Sequence, residues 1–87
     1  MKLIWSENAW EDYLYWQVHD KKILKRINEL IKAIKRDYFR GIGDPEPLRH
    51  NLSGYWSRRI TIEHRLVYKV EGDSLLIAAC QHHYGAN

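Results

Sequence analysis

Eighty-seven residues suffice for one domain, 1–87, because a chain of this size buries only about 60 to 65 % of its unfolded surface and has no second core to spare. Hydrophobic residues at 45 %, with four Trp and six Tyr, argue against disorder, which needs low hydrophobicity and high net charge. Fourteen Lys and Arg against eleven Asp and Glu leave a formal charge of +3, an excess that speaks for nucleic acid only if the cations gather on one surface.

The single cysteine, Cys80, excludes an intramolecular disulfide framework, and its apolar setting reads as a small buried hydrophobe in a reducing compartment. A cytoplasmic location is therefore expected. MKLIWSE lacks the apolar h-region of a secretory signal, and the longest apolar run, Leu75 to Cys80, is far too short to span a bilayer.

In chain order, KLIWS (2–6) reads as a short strand. Ser6 is placed to cap a helix over ENAWEDYLYWQ, where Trp10, Tyr13, Leu14 and Gln17 share helical spacing. Asp20 can cap a second helix, KKILKRINELIKAIKRD, whose Ile23, Leu24, Ile27, Leu30, Ile31 and Ile34 recur with the period of one helix face. Its other faces carry Lys21, Lys22, Lys25, Arg26, Lys32, Lys35 and Arg36, either a solvated face or a phosphate-contacting one. From Asp37 to Gly54 periodicity vanishes, and three Gly with both Pro predict a long connecting loop; its Gly-x-Gly lacks the surroundings of a phosphate cradle. YWSRRITIE, HRLVYKV and SLLIAACQHH follow as three β-rich runs, the last two joined by the turn signal EGD, which implies an antiparallel hairpin. The order strand, helix, helix and a three-strand antiparallel meander predicts an α+β domain, with the helices on one face of a mostly antiparallel sheet.

The chemistry concentrates in the second half. Adjacent side chains on a strand point to opposite faces, so His82 and His83 are not expected to share one ligand. With one Cys and neither Cys-x-x-Cys nor His-x-x-x-His, no metal site and no cofactor are expected. Glu46 lies between Pro45 and Pro47, which stiffen the backbone about its carboxylate. Arg58, Arg59 and Arg65 occur beside bulky apolar residues, where they either form cross-strand ion pairs, as Arg65 could near Glu63, or present planar forks to phosphate oxygens. A rigid carboxylate, strand arginines and a terminal imidazole would together suffice for metal-free cleavage of RNA.

KLIWS, DYLYW, INELIK, PEPL followed by HNLSGYWSRRIT, EHRLVY and SLLIAAC ending in HHY closely resemble the YoeB toxins of the RelE/ParE superfamily over residues 1 to 84. The resemblance implies a toxin of a type II toxin–antitoxin module, a ribosome-dependent endoribonuclease cutting mRNA in the ribosomal A site, with a YefM-like antitoxin as cognate partner and a homodimer as a plausible state. Carried over by position, Glu46 would be the general base on the ribose 2′-OH and His83 the acid for the 5′-oxygen. Arg65, helped by Arg59, would stabilise the transition state, and Arg49 and Tyr84 would orient phosphate and nucleotide. His50, Lys21, Lys22 and Lys25 are further candidates for RNA phosphate contacts. Arg49 stands where such toxins usually carry Lys, and His82, where an aromatic residue is commoner, offers a second imidazole as the acid. Two other readings stay open: a ParE-like toxin that poisons DNA gyrase by binding, and a non-catalytic basic module for ribosome or antitoxin.

Overall fold

In the computed structural model, which describes residues 1–82, two acidic or hydroxylated side chains set the helical half. The Ser6 Oγ accepts from the Ala9 N–H at 3.0 Å and starts α1, Glu7–His19. Asp20 then serves both neighbours. Its N–H donates to Trp16 O at 2.9 Å, closing α1, while its carboxylate accepts from the Lys22 and Ile23 N–H groups and starts α2, Lys21–Arg36. One residue thus satisfies orphan groups of two helix ends. The periodic face of α2 buries Ile27, Leu30, Ile31 and Ile34, as its spacing requires.

Five strands, β1 (Lys2–Trp5), β2 (Glu46–Pro47), β3 (Trp56–Arg59), β4 (Arg65–Glu71) and β5 (Ser74–Ala79), form one sheet in the order β1-β5-β4-β3-β2. β3, β4 and β5 are the expected antiparallel meander, and Gly72, with φ of 55°, turns the chain between β4 and β5. β1 pairs with β5 in parallel, because the two helices carry the chain across the sheet before it returns. Both helices cover one face, so the α+β class and the one-sided helical layer stand as expected.

The segment from Asp37 to Gly54 differs from the expected plain loop. It contains β2 (Glu46–Pro47), antiparallel to β3, and a 3-10 turn over His50–Leu52. Pro47 has no N–H to give a ladder, which suits the sheet edge where β2 lies. Arg58 organises the rest. Its fully buried guanidinium donates to the Asp37, Arg40 and Ile42 carbonyls at 2.8, 2.8 and 3.1 Å and to the Tyr68 hydroxyl at 3.3 Å; that hydroxyl in turn donates to Tyr38 O at 2.7 Å. Gly43 permits the close approach, since a Cβ there would meet Leu30 Cδ2 at 2.7 Å and its φ is 87°.

Strand alternation separates the two sheet faces. Leu66 and Tyr68 join the helical core with Leu75 and Ile77, whereas Val67 and Ala79 form a smaller cluster with Leu48 on the other face. The phase changes within β5. Tyr68 pairs with Ile77 but Val67 pairs with Ala79, so Ala78 is an extra residue, a β-bulge. Its carbonyl, released from the ladder, accepts from the Ser6 hydroxyl at 2.9 Å. Beyond the bulge Cys80 turns back to the helical core.

Candidate active site

The face opposite the helices gathers the chemistry. Glu46 on β2 stands across from Ser57 on β3, and Arg59 on β3 across from Arg65 on β4. Arg65 is 5 % exposed; its Nε donates to Ser57 Oγ at 2.9 Å and its Nη2 to Asp44 O at 3.5 Å. Those bonds hold the fork, while Nη2 stops 4.0 Å from Glu46 Oε1. At that separation the pair is coulombic rather than hydrogen-bonded. The Glu46 side chain, 55 % exposed, keeps lone pairs free to take a proton. Arg59 is exposed and reaches Asp44 Oδ2 at 3.9 Å.

The three strand arginines therefore divide. Arg58 points into the helical side and binds carbonyls, Arg65 is a buried fork on the opposite face, and Arg59 is a surface cation. The carboxylate that meets Arg65 is Glu46 and not the sequence neighbour Glu63.

The chain leaving β5 runs along the helical side before it meets the amide of Arg65. Cys80 N–H donates to Asp12 Oδ2 at 3.0 Å and Trp16 Nε1–H to Cys80 O at 2.9 Å. Two residues later, His82 N–H donates to His64 Nδ1 at 2.8 Å and His82 O accepts from Arg65 N–H at 2.9 Å. The third β-rich run is shorter than expected: β5 ends at Ala79 and His82 has φ of 66°, so strand alternation does not govern where the His82 imidazole points. His83 and Tyr84 lie outside the described residues.

Burial raises the Asp12 carboxyl above its ordinary 3.8, an effect opposed by the Cys80 N–H and by His82 and His64. Burial also raises the Tyr68 phenol against the pull of Arg58, and pushes the Cys80 thiol far up, with Asp12 adding to it. A thiol so placed is not a nucleophile.

The remaining candidates are peripheral. Arg49 and His50 are exposed at the start of the 3-10 turn, and Lys21, Lys22 and Lys25 are exposed on the first turns of α2. Arg26, which follows them, donates from Nη2 to Arg59 O at 3.2 Å and so joins the helical cations to the site's edge. A cavity of about 380 Å³ lies elsewhere, between the end of α2 and the following loop, lined by Ala33, Arg36, Asp37, Arg40, Gly41 and Ile42. Glu46 and Arg59 instead lie open on the surface, which suits a polymer. Sequence reading missed Ser57, Asp44, Asp12 and His64; of these only His64 carried a signal, standing beside Arg65 in the EHRLVY stretch.

A layer of two helices on a five-stranded mixed sheet is the architecture of YoeB/ParE-type toxins, and the comparisons narrow it. The family model described as YoeB-like toxin of bacterial type II toxin–antitoxin system matches residues 5–84. Toxin YoeB of Escherichia coli K12 is 71 % identical over 84 residues, covering 97 % of this chain and all of that one. Two Staphylococcus aureus structures each cover 97 % of this chain and 98 % of theirs: a YoeB dimer, 52 % identical with a TM-score of 0.91, and a YoeB–YefM complex, 50 % identical with a TM-score of 0.90. This chain belongs to the YoeB-like toxins of bacterial type II toxin–antitoxin systems. No helix among the described residues is long and apolar enough to cross a membrane.

Proposed function

We propose that this toxin is a ribosome-dependent endoribonuclease of the bacterial cytoplasm that cuts mRNA in the ribosomal A site without a metal. The observation that carries the reading is the exposed Glu46 carboxylate, 4.0 Å from a guanidinium that Ser57 and Asp44 already hold in place. Glu46 takes the ribose 2′-OH proton as the oxygen attacks the adjacent phosphorus. Arg65 and Arg59 stabilise the charge on the phosphorane-like transition state; preset donors cost no reorganisation when that charge develops. The bond from phosphorus to the 5′-oxygen breaks, His83 gives that oxygen a proton, and the products are a 2′,3′-cyclic phosphate and a 5′-hydroxyl. Only RNA supplies the internal nucleophile.

Tyr84 and Arg49 orient the scissile nucleotide, and His50, Lys21, Lys22 and Lys25 contact RNA phosphates. A YefM-like antitoxin is the cognate partner, as in the S. aureus complex. Self-association like that of the S. aureus dimer has apolar surface to use, since Trp10, Leu14 and Val18 of α1 are exposed.

Primer extension on mRNA bound to ribosomes stalled at a defined codon tests the reading. A ribosome-dependent cut inside the A-site codon, abolished by Glu46→Ala and by His83→Ala, is expected. Intact mRNA beside folded, ribosome-bound toxin would leave a binding module instead.

A further inference from the structure

The imidazole of His64 has a fixed place and an unassigned task. Its backbone is held at both ends: the N–H donates to Thr61 Oγ1 at 3.1 Å, and the carbonyl accepts from the Ile60 and Thr61 N–H groups at 2.9 and 3.1 Å. Its ring stands edge-on to buried Trp16, 4.8 Å between centroids. Nδ1 accepts the His82 N–H at 2.8 Å, which sets the neutral ring with its proton on Nε2. The His82 carbonyl is held in turn by the amide of Arg65. Both backbone groups of His82 are therefore bound, and the residue is kept at φ of 66°. A non-glycine residue persists in that region when its surroundings over-determine it, and such positions cluster at functional sites.

We propose that His64 is a positioning residue for the terminal acid: by accepting the His82 N–H, it and the Arg65 amide fix the backbone of the residue that precedes His83 in the sequence. This rests on the nuclease reading for its kinetic consequence, but the anchor itself is a property of the free toxin. One guanidinium-bearing residue then serves twice, through its side chain beside Glu46 and through its amide at the base of the terminal segment.

His64→Leu fills similar space without an acceptor, and His64→Asn returns an acceptor near the place of Nδ1. Single-turnover cleavage on programmed ribosomes, ribosome affinity and His82 amide exchange are measured for the wild type and both variants. In His64→Leu the rate should fall by about 10-fold or more, since displacement of a catalytic group by about 1 Å can cost 10²-fold, with ribosome affinity unchanged and faster His82 exchange. His64→Asn should recover most of the rate and the protection. A wild-type rate in His64→Leu, or a rate in His64→Asn as low as in His64→Leu, overturns the proposal. If the wild type leaves mRNA intact, the nuclease reading has failed and exchange decides alone: unchanged His82 protection in His64→Leu then overturns the anchor, and lost protection that His64→Asn restores upholds it.

Discussion

Arg58 has a burial problem that its neighbours solve without a carboxylate. The side chain is fully buried, and its donors go to three loop carbonyls and one phenol. Arg58→Met keeps much of the volume and removes every donor. A bond from a charged group contributes about 1.5 to 3 kcal/mol, but the carbonyls of an exposed loop regain water when it opens, so a net loss of about 3 kcal/mol is expected. For a domain of this size that corresponds to a fall in Tm of roughly 12 to 24 °C. It is also a large share of the ~5 to 15 kcal/mol that holds a small domain folded. Urea and thermal unfolding followed by circular dichroism measure it. Because Asp44 and Glu46 continue from the clamped segment, ribosome-dependent cleavage below the melting range should fall too. A variant within about 0.5 kcal/mol of the wild type, the range of an ordinary surface substitution, would refute the assignment of Arg58 as the clamp of this loop.

Glu46→Gln should abolish cleavage while leaving unfolding within about 1 kcal/mol of the wild type, because its ion pair is long and its carboxylate is exposed; a matched thermal melt checks that. Arg65→Lys retains charge but cannot both donate to Ser57 and face Glu46, so cleavage should drop by about 10-fold or more, and single-turnover rates with ribosome affinity held constant measure it. Cys80 should resist a thiol reagent in the folded toxin and react on addition of urea; labelling at native rates comparable to those in urea would contradict its burial and raised thiol pKa. Asp12 binds its proton more tightly folded than unfolded, so its contribution to stability falls as pH rises from 3.8 through the raised folded value. Asp12→Asn removes that contribution, and the difference in unfolding free energy between wild type and variant, followed from below pH 3.8 upward, should show the slope.

Much of the fold was legible because local chemistry and periodicity agreed. Asp20 and the apolar period after it announce α2, and the EGD turn between two β-rich runs announces the β4–β5 hairpin. β2 was not legible: two residues, one a proline, have no period, and their pairing is decided by β3 across the sheet. At the site, the stiffened Glu46 was readable from its flanking prolines, but the different tasks of Arg58, Arg59 and Arg65 were not. Alternation says that neighbours face opposite ways, and only the assembled sheet says which way holds the helices. His64 stood beside Arg65 in EHRLVY, but its task was not legible, because its acceptor meets an amide 18 residues away.

The bulge at Ala78 also governs how this chain tolerates length change. Two residues of β5 there stand against one step of β4, so a deletion at 78 would close the bulge and leave Ala79 opposite Val67 and Cys80 on the helical side, at the cost of the Ala78 carbonyl that accepts from Ser6. The regular ladder from Ser74 to Ile77 has no such spare residue: there each position has one partner on β4, and a one-residue deletion would turn the following side chains to the wrong face.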